Sequence, residues 1–410
     1  MSMTPHHSAS SKPPCRTNLA NLASLPTELK IKIALAIAGE TEDGTDCRRA
    51  LSSLTLVNHE WQEVCEPIAH EHSSIDTRKI GYDGAVLLPP QRLRRFLRSV
   101  TFHAGPRVLA PLIGDLLAPS KGLETLRIRL CDFGNQDDSA NTLDQLRPFV
   151  EGLRKLDIDA YGSRTHNLYQ AAARLLNACT TLRELCIDLY PPEYARSELL
   201  EAFDTFIRAV FALSTLRRLE IWRSASDIGN KLQLDWPELR QLKVNWATSR
   251  DIRLSETVPA WHFFLLSLPK SLVSICVYCA YVSPIDRGFT LPPSTIAFPH
   301  LTSFSQRGDS ELDILFLIDP ATPIRRLVYD DFSYEHFVAA DKFRDTQPVK
   351  TLAEVAYKRS RLSSKEETDF HAWAHRYNIK ITDRGRRRDE WLLAALTGEG
   401  RMAEAVASGA

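Results

Sequence analysis

The residues of this chain that could do chemistry are few and scattered. Cys276 and Cys279 form a CxxC motif, whose thiols could bind a metal ion or exchange a disulfide. A four-cysteine zinc site needs a second such pair, and the sequence has none. The motif also falls in a predicted strand, where residues three apart point to opposite faces. We therefore expect neither a metal site nor redox chemistry at this motif.

Histidines offer the other candidate metal ligands. His371 and His375 lie one helical turn apart, but the Ala-Trp-Ala between them lacks the glutamate of a metalloprotease helix. His70 and His72 flank Glu71 in a predicted loop, with no cysteine or aspartate cluster nearby. Neither a glycine-rich phosphate loop nor a G-x-S-x-G nucleophile turn occurs. The sequence therefore predicts no catalytic residue, no metal and no cofactor.

Composition narrows the class of protein further. The 410 residues include 51 Lys plus Arg and 51 Asp plus Glu, a neutral balance that is not typical of a nucleic-acid binder. The eight cysteines form no dense framework, which is typical of an intracellular chain, cytoplasmic or nuclear. The longest apolar stretch, residues 261–282, is split by Pro269 and Lys270 into pieces too short to cross a bilayer. We therefore expect no membrane partner and no nucleic-acid partner.

The first elements that must position any site are three predicted helices near the N-terminus. Pro26 suits the first turn of a helix, and Glu28 suits the positive end of the helix dipole. Leu29, Ile33 and Ile37 then recur at four-residue steps, which predicts one apolar stripe.

A polar loop is predicted over residues 39–46, and two further helices over residues 47–56 and 59–69. Trp61 and Cys65 would lie on the inner face of the last helix, together with Val64 and Ile68. So small a unit tends to need a partner or a neighbouring domain for stability.

A leucine-rich strand pattern, apolar-x-x-apolar-x-apolar, runs through most of the remaining chain. The copies begin at Leu97, Leu123, Leu153, Leu182, Leu216, Leu239, Leu272, Leu301 and Ile324. They start 23 to 34 residues apart, close to the usual leucine-rich-repeat period of about 20–29 residues. Strand alternating with helix at this short period predicts a curved parallel array of the α/β class, with the helices on its outer side.

Helices are predicted between most of these strands. They cover residues 108–117, 143–150, 168–179, 199–213, 261–268 and 311–318, and a last helix over 366–377 precedes a strand at 379–381. The resulting organisation is a disordered tail (1–20), a helical module (21–75), a repeat array (90–382) and a basic tail (383–410). The run Arg384 to Arg388 in that tail is typical of a solvated end, a nuclear import signal or a nucleic-acid contact.

The N-terminal module resembles an F-box, the helical motif that docks a protein on the Skp-type adaptor of an SCF ubiquitin ligase. The features that carry the resemblance are a Leu-Pro pair followed by Glu-Leu, a Leu-x-Leu-Val run and a tryptophan four residues after that valine. The polar loop is longer and more acidic than in the usual pattern. The resemblance implies an adaptor surface, made of contact and supporting residues, at Leu25, Pro26, Leu29, Val57 and Trp61. The alternative is a helical cap on the larger fold.

The array is similar to the divergent repeats of fungal-type F-box/leucine-rich-repeat proteins. Only the second copy has a residue of the Asn/Cys type, Cys131, after its strand, so a regular asparagine ladder is absent. The resemblance implies a substrate receptor, with a Skp-type adaptor and a cullin ligase core as partners and an unidentified protein target. A scaffold outside the ubiquitin system is the alternative, and an enzyme is the least favoured reading because no motif converges.

Strand residues that alternate with the apolar ones would line the concave face of such an array. We predict a target-binding face centred on Trp222, because aromatic and arginine residues are common energetic centres of interfaces. Arg127 and Arg129 would also suit a phosphate group on the target. The predicted contacts are Arg127, Arg129, Asp157, Asp159, Asp188, Glu220, Trp222, Lys243 and Tyr278, with Glu184, Arg218 and Asn245 beside them.

Overall fold

Three N-terminal helices lead into one parallel sheet of twelve strands. The computed structural model describes residues 22–40, 44–76, 89–104, 106–120, 122–131, 136–161, 165–189, 197–224, 236–246, 262–279, 295–307, 314–343 and 352–383. The predicted tail over residues 1–20 and the basic run at 384–388 lie outside these ranges. Within them, no helix is both long enough and apolar enough to span a bilayer.

The N-terminal helices are α1 (Thr27–Glu40), α2 (Gly44–Thr55) and α3 (His59–Ala69). Helix α3 has its predicted bounds, and the Asn58 side chain caps it by accepting a hydrogen bond from the Trp61 backbone N–H at 2.9 Å. The loop predicted over residues 39–46 is wrong over most of its length, because α1 continues to Glu40 and α2 begins at Gly44. Ala and Glu favour a helix strongly enough to carry the single Gly39.

The core of these helices is built around Trp61. Its side chain is fully buried with Ala34, Leu51 and Cys65, and its indole Nε1–H donates to the Leu22 carbonyl at 2.8 Å. Burial raises the pKa of the Cys65 thiol to about 11, so this cysteine stays protonated at neutral pH.

The predicted apolar stripe of α1 is partly confirmed, because Ile33 and Ile37 pack against the core whereas Leu29 points to solvent. Lys30 and Ala34 are the fully buried residues, Ile33 and Ile37 are partly buried, and Leu29 is exposed. The Lys30 ammonium donates to the Glu60 carboxylate, and this hydrogen bond lowers the pKa of Glu60. Because α1 is apolar on almost every side, its hydrophobic pattern alone did not define the inner face.

Each strand of the sheet pairs in parallel with the next strand along the chain. The strands are β1 (His72–Asp76), β2 (Ser99–Ala104), β3 (Thr125–Cys131), β4 (Lys155–Tyr161), β5 (Glu184–Leu189), β6 (Arg218–Ser224), β7 (Gln241–Trp246), β8 (Ser274–Cys279), β9 (Ser303–Arg307), β10 (Arg326–Phe332), β11 (Glu354–Ser360) and β12 (Lys380–Asp383). The nine leucine-rich copies coincide with β2 to β10. The α/β class is therefore confirmed, and the sheet is consistent with a leucine-rich-repeat-like solenoid.

Two strands were not predicted. β1 begins at His72, where a loop was expected, and it joins the sheet by pairing with β2. β11 pairs with both β10 and β12, and it matches a copy of the apolar-x-x-apolar-x-apolar pattern at Leu352, Val355 and Tyr357 that the sequence reasoning missed. At β1, which lacks this pattern, sheet pairing supplies the strand, because an extended neighbour offers unpaired backbone groups.

Helices connect most strands. They are α4 (Gln91–Arg94), α5 (Pro106–Leu117), α6 (Gln136–Leu146), α7 (His166–Asn177), α8 (Ser197–Phe211), α9 (Tyr334–Asp341) and α10 (Ser364–Tyr377), with 3-10 turns at Arg147–Phe149 and Ile314–Leu317 and a helical turn at 262–267. The α-helix predicted over residues 311–318 is wrong, because the described part forms only the 3-10 turn. Asp319 and Pro320 follow that turn, and a residue before proline disfavours helical geometry.

One continuous core lies between the strands and the helices. Equivalent leucines of neighbouring strands are in register, as in Leu126, Leu156, Leu185 and Leu219, and all four are almost completely buried. Helix α7 adds Leu168, Leu175 and Leu176 to the same cluster. Each repeat therefore completes the core of its neighbours, as expected of a solenoid.

Hydroxyl groups take part of the role that an asparagine ladder has in regular repeats. Thr215 Oγ1 donates to the Leu182 carbonyl at 2.7 Å, and Thr181 Oγ1 donates to the Leu153 carbonyl at 3.0 Å. Ser271 and Ser120 make the same type of bond to the carbonyls of Leu239 and Leu97. A Ser or Thr just before the strand thus ties four repeats to the preceding one.

We expect Thr215→Val to lower the free energy of unfolding by about 1 kcal/mol, because the isosteric methyl cannot donate to the Leu182 carbonyl. Thr205→Val is the matched control, since Thr205 is exposed and its hydroxyl bonds only the Glu201 carbonyl of its own helix. Urea unfolding followed by circular dichroism measures both. Equal losses for the two variants would contradict a role for the inter-repeat bond.

Candidate functional site

The face of the sheet opposite the buried leucines carries most of the predicted target contacts. Its central register row runs through Arg127, Asp157, Cys186, Glu220 and Lys243, one residue from each of β3 to β7. We call this surface the open face. Strand alternation places every second residue on it, so its composition follows directly from the register.

Charged residues on the open face pair across neighbouring strands. Arg127 Nε lies 2.5 Å from Asp157 Oδ2, and Lys155 Nζ lies 3.0 Å from Glu184 Oε2. Arg129 Nε lies 4.0 Å from Asp159 Oδ2. The basic strand β3 and the acidic strand β4 therefore neutralise each other, and the surface does not present separate basic and acidic blocks. A phosphate at Arg127 would have to compete with Asp157.

Glu220 is the most buried charged residue of the open face, with a relative exposure of 8%. Its carboxylate accepts a hydrogen bond from the Lys243 ammonium on β7. It also lies 3.6 Å from Arg218 Nη2 on its own strand. One buried carboxylate thus compensates two cations, and charge-assisted bonds of this kind are among the strong ones.

A cavity of about 320 Å³ opens on this face between β3 and β6. It brings together six predicted contacts, and its volume is at the lower end of the range for ligand pockets. Its residues are Arg127, Arg129, Asp157, Asp159, Asp188 and Glu220, with Glu184, Arg218, Lys155, Leu156, Leu185 and Cys186. Lys155 was missed in the sequence, although the alternation that selects Asp157 also selects the residue two positions earlier.

Of the two predicted aromatic contacts, Trp222 and Tyr278, the structure describes the side chain of Tyr278 alone. Tyr278 is exposed on β8, on the same side as Cys276. Trp222 and Asn245 have their backbones in β6 and β7, but their side chains lie outside the described residues. The centring of the target surface on Trp222 therefore stays a prediction.

The adaptor residues expected from the F-box resemblance divide into two groups. Pro26 lies just before α1 and is exposed, and its carbonyl accepts the first helical hydrogen bonds; Leu29 is also exposed. Leu25 and Val57 pack against the core of the N-terminal helices, and Trp61 is fully buried in it. Trp61 can therefore support an adaptor surface from below but cannot contact a partner.

Further exposed apolar residues, which the sequence reasoning missed, lie on the N-terminal helices or directly after them. They are Ile31 and Leu35 on α1, one turn apart, and Leu56 after α2, which is 86% exposed. The signal was present in the sequence, because a helix with apolar residues on every side must leave some of them outside the core.

The candidate metal ligands do not form a site in the described part of the chain. No group of three or more His, Cys, Asp or Glu residues is arranged to hold a metal ion there. Burial raises the pKa of the Cys276 thiol, and the side chain of Cys279 lies outside the described residues. His371 and His375 are both exposed on α10.

Comparisons with known proteins identify no family. No family model matches the sequence, and no curated protein matches it. Among solved structures, the crystal structure of the Rad7 and Elc1 complex in yeast is similar, with a TM-score of 0.41 and 13% sequence identity over 90% of this chain and 95% of that chain. At that TM-score the likeness carries no argument about this chain. The fold and the open face themselves define its class, an α/β protein consistent with a repeat solenoid that presents paired charges.

We expect Glu220→Gln to lower the free energy of unfolding by about 1–3 kcal/mol, because it leaves Lys243 and Arg218 without their carboxylate in a partly buried place. Glu238→Gln is the matched control. Glu238 pairs with Arg217 Nε at 3.1 Å, but its side chain is 53% exposed, so its loss should cost less than about 1 kcal/mol. Urea titration measures both changes, and a Glu238 effect equal to that of Glu220 would rule out the importance of burial.

Proposed function

We propose that this chain is a non-catalytic substrate receptor of an SCF-type ubiquitin ligase. The N-terminal helices dock on a Skp-type adaptor, which links the chain to the cullin core, and the open face binds a protein target. The observation that carries this proposal is the concentration of exposed apolar side chains on the N-terminal helices.

Of the nine large hydrophobic residues that are exposed among the described residues, four lie on this small unit. They are Leu29, Ile31, Leu35 and Leu56. Single exposed leucines are ordinary, but a cluster of them on one short segment favours an apolar partner. Full burial of a wholly exposed side chain of this kind contributes about 1.5–3 kcal/mol. Leu29, Ile31 and Leu35 are already about half buried, so covering each of them would contribute roughly half of that.

The sequence resemblance and this apolar cluster fall on the same segment. Leu29 belongs to both, and Pro26 starts the helix that carries Ile31 and Leu35. Trp61 and Val57 then have a supporting role, because they hold α1 against α3 from the inside.

The receptor role needs no catalytic side chain. A receptor accelerates ubiquitin transfer by holding a target lysine close to a thioester carried by another subunit, and the gain comes from proximity. The open face suits the binding step, since its cavity and its paired charges offer a polar target both donors and acceptors.

The second candidate is an interaction scaffold whose N-terminal helices only cap the array. Contacts that join the end of the N-terminal helices to the start of the array favour it. Arg92 Nη2 on α4 lies 2.9 Å from Glu66 Oε1 on α3, and the Glu71 carbonyl accepts the N–H groups of Arg98 and Ser99 at the start of β2. On this alternative the exposed apolar residues of α1 have no adaptor.

Co-expression with a tagged Skp-type adaptor separates the two candidates. We expect the wild-type chain to co-purify with the adaptor, and Leu35→Glu to weaken the complex at least tenfold by placing a charge in an apolar contact. Leu266→Glu is the matched control, because Leu266 on the array has nearly the same exposure, 50% against 54% for Leu35, and should leave the complex unchanged. Titration by isothermal calorimetry gives the affinities.

Circular dichroism of the same variants is the control for folding, and we expect the spectrum of the wild-type array to be retained. The double variant Leu25→Ala with Pro26→Ala should weaken the complex in the same direction, since it alters the entry to α1. A wild-type chain that captures no adaptor removes the F-box proposal and leaves the scaffold.

A further inference from the structure

A row of arginines follows the edge of the sheet at which the strands begin. Five of six consecutive strands, β2 to β7, are preceded by an arginine in the same position, directly after the first leucine of the repeat. We call this row the arginine edge: Arg98, Arg154, Arg183, Arg217 and Arg240, with Glu124 at the position before β3. All five arginines are exposed.

The backbone holds this row in place. The carbonyl of Arg154 accepts hydrogen bonds from the N–H groups of Arg183 and Glu184, both at 2.9 Å. The Arg183 carbonyl accepts those of Arg217 and Arg218 in the same way, at 2.8 and 3.0 Å. The same pair of hydrogen bonds to one carbonyl recurs at every step from β2 to β8. The Cα atoms of the row therefore stand about 4.8 Å apart, the usual strand spacing.

Acidic neighbours compensate only part of the arginine edge. Glu124 lies 3.4 Å from Arg98 Nη1 and 3.7 Å from Arg154 Nη1, and Glu238 lies 3.1 Å from Arg217 Nε. In the part of the chain that the structure describes, Arg183 and Arg240 have no ion pair. Four arginines directly precede the successive strands β4 to β7, and like charges this close repel each other.

We propose that the arginine edge binds an acidic segment of a partner protein. The guanidinium groups offer planar pairs of donors that match carboxylates, and an anionic partner relieves the repulsion along the row. The row spans about 24 Å over six strands, the length of about seven residues of an extended peptide. This surface is separate from the apolar cluster of α1 and does not depend on adaptor docking.

Features of the row favour an acidic peptide over a nucleic acid. Glu124 interrupts it, and a peptide can place a neutral residue opposite that carboxylate, whereas a nucleic acid carries a phosphate at every nucleotide. The whole chain has a formal net charge of zero, without the basic excess of a nucleic-acid binder.

The test uses the full-length chain and a fluorescein-labelled peptide of about twelve residues that alternates Glu and Ser, followed by fluorescence anisotropy. We expect Arg183→Glu with Arg240→Glu to weaken binding at least tenfold, and added salt to weaken the wild-type complex through screening. The matched control is Arg208→Glu with Arg376→Glu, which makes the same change of net charge at exposed positions of α8 and α10 and should alter the affinity less than twofold.

A thermal melt guards against misfolding, because the edge variant without peptide should melt cooperatively near the wild-type temperature. Added peptide should raise the melting temperature of the wild-type chain and not that of the edge variant. A single-stranded oligothymidylate of equal charge is the competing probe. Absence of peptide binding, an equal loss in the control variant, or tighter binding of the oligothymidylate through the same arginines would each overturn the proposal.

Discussion

The parallel register of the sheet is the constraint on which every surface of this protein depends. The first residues of the strands from β2 to β12 stand opposite one another, so the buried leucines stack upon leucines. The same alignment carries outward-pointing residues into rows, and it brings the residues before the strands into a further row. A shift by one residue would send each leucine to the open face and destroy the core.

Charge pairing on the open face follows from that alignment. Lys155 meets Glu184, and Arg127 meets Asp157, because their positions in the repeat are equivalent. The surface is therefore polar without a strong net field, and recognition there depends on shape and on the exchange of hydrogen bonds. The arginine edge differs, since equivalent positions there carry the same sign. One molecule thus has a surface whose charges are paired and an edge whose charges are only partly paired, and the same backbone register sets both.

The sequence predicted the parts of the fold that a periodic pattern can encode. The leucine spacing located β2 to β10. The same pattern at Leu352, Val355 and Tyr357 marks β11 and was overlooked, whereas β1 lacks the pattern and could not be found from it. Contacts between repeats could not be predicted from one repeat alone. The pairing of Lys243 with Glu220, and the burial of Lys30 against Glu60, depend on residues 23 and 30 positions away. The sequence could not fully show which of the predicted adaptor residues are buried and which are exposed, since α1 has apolar residues on almost every side.

The backbone geometry at the start of each strand is constant, whereas the number of residues in the rest of the repeat varies. Repeat starts are 23 to 34 residues apart, yet the double hydrogen bond to the preceding carbonyl recurs at each entry from β2 to β10. The pairing of β6 with β7 shifts its register only after Ile221, toward the strand exit. Insertions and deletions can therefore accumulate on the exit side without moving the entry side. Evolution could therefore change the edge of the sheet at which the strands end, while the edge at which they begin keeps its regular spacing.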